Sequence, residues 1–256
     1  MIRIIIIALL TVFVVTSIAC GGETETIHEY TIYDDANQSV LVFTKTSGFR
    51  HDSIEPGVEA VKELGREHGF SVTWTENSGY FTPGNLAEYD AVIFLNTSEE
   101  VFDNDDQRNA FKGYIQNGGG YVGVHAASDT EYDWSWYGEL VGAYFDNHPP
   151  GVIPAVIDVV DHDHPSTAHL PERWDRTDEW YNFGFIYDEL NVLMKLDTDS
   201  YEGSDHPGNH PIAWYHEYDG GRSFYTASGH TIESFSEPEF LQHLLGGIQY
   251  AMGTAE

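Results

Sequence analysis

The stretch Gly118 to Trp136, GGGYVGVHAASDTEYDWSW, decides how this chain folds and where its chemistry sits. Tyr121 to Val124 are strand formers bounded by glycines, and they run directly into His125, Asp129, Glu131, Tyr132, Asp133, Trp134 and Trp136. A short buried strand ending in groups that bind protons, metals or ring-shaped ligands predicts a site at the strand's end. Gly118, Gly120 and Gly123 match the spacing G-x-G-x-x-G, yet a dinucleotide fingerprint must follow a strand and open a helix. These glycines instead end a predicted helix and enter a strand, which excludes a dinucleotide site at this position.

Towards the N-terminus, strand and helix alternate. The apolar run Ser39 to Thr44 predicts the first buried strand of the domain, followed by a polar loop, Lys45 to Asp52. Ser53 is the expected N-cap of a helix reaching about His68, with Ile54, Val58, Val61 and Leu64 at helical spacing and Gly69 at its end. Phe70 to Thr75 and Ala91 to Leu95 predict two further strands, and Asp103 to Asn117 a helix with Phe111, Tyr114 and Ile115 inward. Such alternation predicts an α/β fold with a parallel sheet and helices on both faces, where ligands lie outside the carboxyl ends of strands. The second half is less regular. Val152 to Val160 and Asn191 to Leu196 predict strands, Pro211 to Tyr218 and Arg222 to Ala227 a hairpin about Asp219-Gly220-Gly221, and Glu239 to Met252 a terminal helix.

The 256 residues carry 11 basic and 42 acidic side chains, a net charge of −31. That sign excludes nucleic acid as a partner, since phosphates are bound by the opposite charge. The acids are spread along the chain, as expected of a solvated acidic surface. Arg3, the apolar run Ile4 to Val15 and Ser17-Ile18-Ala19 precede the only cysteine, Cys20. This pattern predicts an export signal and resembles a bacterial lipoprotein processing site, although Ser17 stands where an aliphatic residue is usual. An ordinary secretory signal or an uncleaved anchor is the alternative. The expected organisation is a signal peptide over 1–19, a polar tether over 20–38 and one domain over 39–253. Cys20 would carry the lipid that holds an exported, periplasmic or cell-surface protein to the membrane. One cysteine leaves no disulfide within the chain, and the oligomeric state is not set by these residues.

Several long segments in order carry a family resemblance: TKTSGFRHDSI at Thr44 to Ile54, FLNTSEEV at Phe94 to Val101, the run from Gly118 to Pro149, DEWYNF at Asp178 to Phe183, and HPIAWYHEYDGGRSFYTASGHT at His210 to Thr231. They resemble the ThuA-like proteins of trehalose utilisation. The resemblance implies a flavodoxin-like three-layer α/β/α sandwich with a mostly parallel sheet, similar to class I glutamine amidotransferases. It also implies a carbohydrate context, the breakdown of sugars and 3-keto-glycosides. Where those amidotransferases carry G-x-C-x-G, this chain has Gly123-Val124-His125-Ala126-Ala127, so His125 stands in place of the nucleophilic cysteine. An imidazole does not replace a thiolate acylated by glutamine, which excludes amidotransferase chemistry.

The candidate catalytic residues are His125, Asp129, His51 and His230. His125 leaves a strand's carboxyl end, and Asp129 four residues later is the expected partner that orients it. His51 leaves the first strand and His230 follows the last, so both are expected at the same crevice; the alternative is a hydrogen-bonded structural histidine for His125 and a helix-capping residue for His51. Glu131, Tyr132, Trp136, Asp178, Glu179, Tyr181, His210 and Trp214 are the expected substrate-binding residues, because aromatic faces stack on sugars while carboxylates accept hydroxyl protons. The alternative is an aromatic core with exposed acids. A divalent metal stays open: His162-Asp163-His164 and the interval His206 to His210 are metal-compatible, but no spacing forms a zinc signature. The expectation is a hydrolase or lyase acting on glycosides or 3-keto-glycosides by His/Asp acid-base chemistry. A non-catalytic carbohydrate-binding lipoprotein is the rival, and an accessory subunit ranks last.

Overall fold

In the computed structural model, residues 27–31 and 36–255 are described. The leader and Cys20 lie outside them. Ile27–Thr31 forms β1, inside the stretch expected to be a tether, where Ile27, Tyr30 and Thr31 supply enough strand-forming residues for an edge strand. Then follow β2 (Gln38–Phe43), α1 (Ile54–His68), β3 (Phe70–Thr75), α2 (Pro83–Leu86), β4 (Ala91–Leu95), α3 (Asp105–Gln116) and β5 (Gly120–Val124). The second half adds α4 (Ser135–Val141), β6 (Ala143–Asn147), β7 (Ile153–Val159), β8 (Arg173–Asp178), β9 (Asn182–Ile186), β10 (Asn191–Leu196), β11 (His210–Tyr218), β12 (Gly221–Thr226) and α5 (Pro238–Met252).

Ten strands form one sheet in the order β1-β3-β2-β4-β5-β12-β11-β10-β7-β8, while β6 and β9 pair separately. The core from β3 to β12 is parallel, as the alternation of strand and helix requires. From β12 to β8 every pairing is antiparallel. Four reversals bring β8 back to the direction of β5 and β12, so its carboxyl end lies at the same edge of the sheet as theirs. This parity places the second half's contribution to the site.

Side-chain alternation sorts the layers. On one face Leu95 meets Gly57 of α1, and Phe224 meets Gly247 of α5. On the other, Phe94 and Tyr121 pack on Phe111 of α3 and Tyr137 of α4. Strands β2, β4 and β5 are covered on both faces, and Val40, Val42, Ile93 and Val122 have no exposed surface. Gly120 sits where a Cβ would lie 2.2 Å from the Ala251 carbonyl oxygen, so a glycine lets α5 close on the sheet. Packing, and not a phosphate turn, accounts for that glycine. Gly69 ends α1 at φ 80°, as the sequence predicted, but the Ser53 side chain does not cap the helix.

Candidate functional site

Four chain segments meet at the carboxyl edge. The loop after β2 brings His51, the end of β5 brings His125, the loop after β12 brings His230, and Glu179 follows β8 directly. His125 adopts φ 48°, a left-handed backbone that is strained for a side chain with a Cβ. It turns sharply from the strand into a 3-10 turn, His125–Ser128. Such a turn lifts one side chain off the end of a sheet, as a nucleophile elbow does. Ser53, expected as a cap, instead donates its hydroxyl to the Gly229 carbonyl at 3.0 Å, and the Asn96 amide reaches both groups at 3.0 and 3.2 Å. These bonds fasten the His51 loop to the His230 loop. Asp178 completes the fastening, for its carboxylate accepts from the backbone N–H of Gly229 at 3.0 Å and of His230 at 3.2 Å.

The site is an imidazole and carboxylate cluster. One oxygen of Glu179 lies 3.1 Å from Nδ1 of His230 and 3.5 Å from Nε2 of His125. Its other oxygen lies 3.2 Å from Nδ1 of His148. His125 Nδ1 lies 2.7 Å from the Ala227 carbonyl oxygen, a contact that requires the proton on Nδ1 and turns Nε2 towards the cluster. The rings of His51, His125 and His230 stand edge to face with centroids 4.9 to 5.2 Å apart, and Tyr181 packs on His125 at 4.1 Å. His51 is 3 % exposed, and its Nδ1 is buried without a hydrogen-bond partner among the described residues.

Electrostatics follow from this packing. Burial, with the neighbouring His125 and His230, pushes the His51 pKa down to about 2, so this ring is neutral. Burial acts to raise the Glu179 pKa, but hydrogen bonds and charge from His125 and His230 outweigh it and hold the carboxyl well below the usual range. In turn, Glu179 raises the His230 pKa against the opposing effect of burial. Burial also raises Asp129.

The structure brings His51, His125, His230, Glu179 and Tyr181 together and places other expected residues elsewhere. Asp129 does not orient His125: its carboxylate accepts the Tyr132 hydroxyl at 2.5 Å, while the Ala227 carbonyl holds the ring. Glu131 is fully buried away from the cluster, accepting from the backbone N–H of Val101 and Phe102 and pairing with Arg108. Trp136 donates to Asp219 at the hairpin turn that precedes β12, at the opposite edge of the sheet. Trp214 is core, stacked on Tyr225 and bonded to the Val141 carbonyl, because β11 is an interior strand. Asp178 and His210 support the site from behind, His210 by a 2.8 Å bond to the Tyr181 carbonyl. Sequence reasoning missed His148, whose only signal was its place in the Gly118 to Pro149 segment. Glu179, expected as a substrate-binding residue, stands at the centre of the histidines.

His51, His125, Glu179 and His230 each offer one ligand atom, and these atoms lie within 4.8 Å of one another. No helix among the described residues is long and apolar enough to cross a membrane.

The fold recurs in solved structures. A ThuA-like protein from Bacteroides uniformis superposes with a TM-score of 0.74 at 23% identity, covering 88% of this chain and 96% of that one. A ThuA-like protein from Parabacteroides merdae gives 0.65 at 18% identity, covering 85% and 91%. A β-galactosidase from Bacillus circulans gives 0.56 at 14% identity over 86% of this chain and 32% of that enzyme. At these identities the likeness is one of fold. No curated protein matches the chain by sequence. The family model described as ThuA, trehalose utilisation, matches residues 39–251, nearly the whole described domain, and the chain therefore belongs to the ThuA family.

Proposed function

We propose that this protein is an exported carbohydrate-utilisation enzyme, a hydrolase or lyase that cleaves glycosides or 3-keto-glycosides at the carboxyl-edge cluster. The observation that carries this reading is the meeting of His51, His125, Glu179 and His230 beside the Tyr181 ring. In a 3-keto-glycoside the proton on C2 is acidified by the neighbouring carbonyl. Its removal sends the C–H electron pair into a C1–C2 double bond as the C1–O bond breaks, and the departing oxygen takes up a proton. Water added back at C1 makes the net reaction hydrolysis; without that step it is elimination. Both routes need a proton acceptor, a proton donor and stabilisation of the developing enolate oxygen. The cluster supplies groups of each kind, with the hydrogen-bonded pair of half-buried Asp129 and exposed Tyr132 nearby as a further proton carrier. The exposed Phe49 ring, edge-on to His51, offers an apolar rim for a sugar face.

Product analysis by NMR, with disaccharides and their 3-keto forms, tests the reaction. Turnover by the wild type that falls at least 100-fold in a folded His125→Asn variant is expected. Ligand-induced shifts without turnover by the wild type would replace the enzyme with a carbohydrate-binding protein. Export and anchoring rest on Arg3, the apolar run to Val15 and the small residues before Cys20. Metabolic labelling with a tagged fatty acid should mark the wild type and spare Cys20→Ser; equal labelling of both sinks the lipid anchor.

A further inference from the structure

We propose that His51, His125, Glu179 and His230 form a binding site for one divalent first-row transition-metal ion. The inference deepens the proposed function of the same site, but the ion is held by atoms whose arrangement does not depend on the sugar. An ion about 2.0–2.1 Å from nitrogen and oxygen ligands in a tetrahedral site sets neighbouring ligand atoms about 3.3 Å apart. Glu179 Oε2, His230 Nδ1 and His125 Nε2 form a triangle with edges of 3.1, 3.3 and 3.5 Å. That is one face of such a tetrahedron. His51 supplies the fourth corner, its ligand atom within 4.8 Å of the others, so a modest inward turn of one ring closes the set.

Three further features belong to a metal centre. The Ala227 carbonyl holds the Nδ1 proton of His125 and aims Nε2 at the ion's position, the usual outer-shell device for a ligating histidine. His148 meets the free oxygen of Glu179 and orients the carboxylate. The unpartnered Nδ1 of His51 shows a polar ring buried at the cluster without a hydrogen bond to justify the burial of that atom. Three imidazole nitrogens and one carboxylate oxygen suit zinc, cobalt, iron or manganese, whereas calcium and magnesium favour all-oxygen sites. The His230 side chain is 23% exposed and gives the ion a way in from solvent.

Cobalt(II) is the probe. The full-length protein, purified in mild detergent and stripped with chelator, should bind one equivalent of cobalt(II) tightly, with visible absorption bands of a nitrogen-ligated site and a raised unfolding temperature. Glu179→Gln and His51→Gln should each weaken that binding more than tenfold, while His162→Gln, at an exposed histidine, leaves it unchanged. Weak multi-site binding to the acidic surface, or binding equal in all variants, would overturn the site. Should a cluster variant fail to fold, X-ray absorption of the cobalt-loaded wild type decides by counting imidazole ligands: three support the site, and one or none refutes it. Because no substrate is used, loss of this site would leave glycoside cleavage standing, and failure of glycoside cleavage would leave the site standing.

Discussion

Two short stretches of this chain mix acids with aromatic rings in much the same way, and the fold uses them oppositely. In EYDWSW, Glu131 to Trp136, Glu131 is spent on two backbone N–H groups and Arg108, Trp134 lies against Arg108 and Trp136, and Trp136 is tied to Asp219. In DEWYNF, Asp178 to Phe183, Glu179 faces three histidines, and the Tyr181 ring lies on one of them. Composition does not distinguish the two. The partners do: a carboxylate satisfied by the backbone and a fixed cation holds structure, whereas one surrounded by imidazoles is placed to exchange protons or ligate a metal. The histidines divide by neighbour and not by carbonyl contact: His216 and His243 meet backbone carbonyls far from any carboxylate of the cluster, whereas His125 meets the Ala227 carbonyl with its other nitrogen turned to Glu179.

The comparison breaks first on stability. Removing the fully buried Glu131 carboxylate strands Arg108 and two backbone donors, so Glu131→Ala should cost about 3–5 kcal/mol in urea unfolding followed by tryptophan fluorescence. A loss below 1 kcal/mol would show that this stretch is not structural in the sense argued.

The next effect is a pH slope in the structural histidines. Burial first of all lowers the pKa of His164 and His216 to about 4 and of His243 to about 3. The unfolded chain takes up a proton at each near the ordinary value of about 6.5 while the folded chain does not, so stability rises with pH across that window. Each such ring therefore costs about 2 kcal/mol on going from pH 7 to pH 5. His216→Gln keeps a donor for the Glu139 carbonyl and should flatten the slope by about that amount. An unchanged slope would mean that His216 is protonated when folded.

The smallest effect is at Trp136. Trp136→Phe keeps the ring and removes the bond to the exposed Asp219, and should cost about 1 kcal/mol with turnover untouched. Impaired turnover in this variant would bring the first stretch into the site after all.

The apolar runs of β2, β4 and β5 made the parallel core legible, and with it the carboxyl edge where His51, His125 and His230 converge. Glu179 and His148 were not legible as their partners, because the antiparallel flank places Glu179 at the end of β8 and the separate β6–β9 pair places His148. Strand β8, RWDRTD, hides its alternation: its inward face is Trp174, Arg176 and Asp178, so a buried ion pair stands where apolar residues would announce a strand. Strand β1 was hidden for a related reason, since its pentapeptide IHEYT mixes charge with strand formers. Trp214 shows the opposite error, an aromatic beside polar residues that lies at the centre of the sheet.

The most direct test of the cluster sets Glu179→Gln beside Glu131→Gln, each matched to the wild type for its folded fraction, with NMR of the products from 3-keto-glycosides. Turnover at least 100-fold slower in Glu179→Gln, about 2.7 kcal/mol of lost transition-state stabilisation, and near normal in folded Glu131→Gln is the predicted result. Full turnover in Glu179→Gln would contradict the account, for it would move the chemistry away from the one carboxylate the three histidines share.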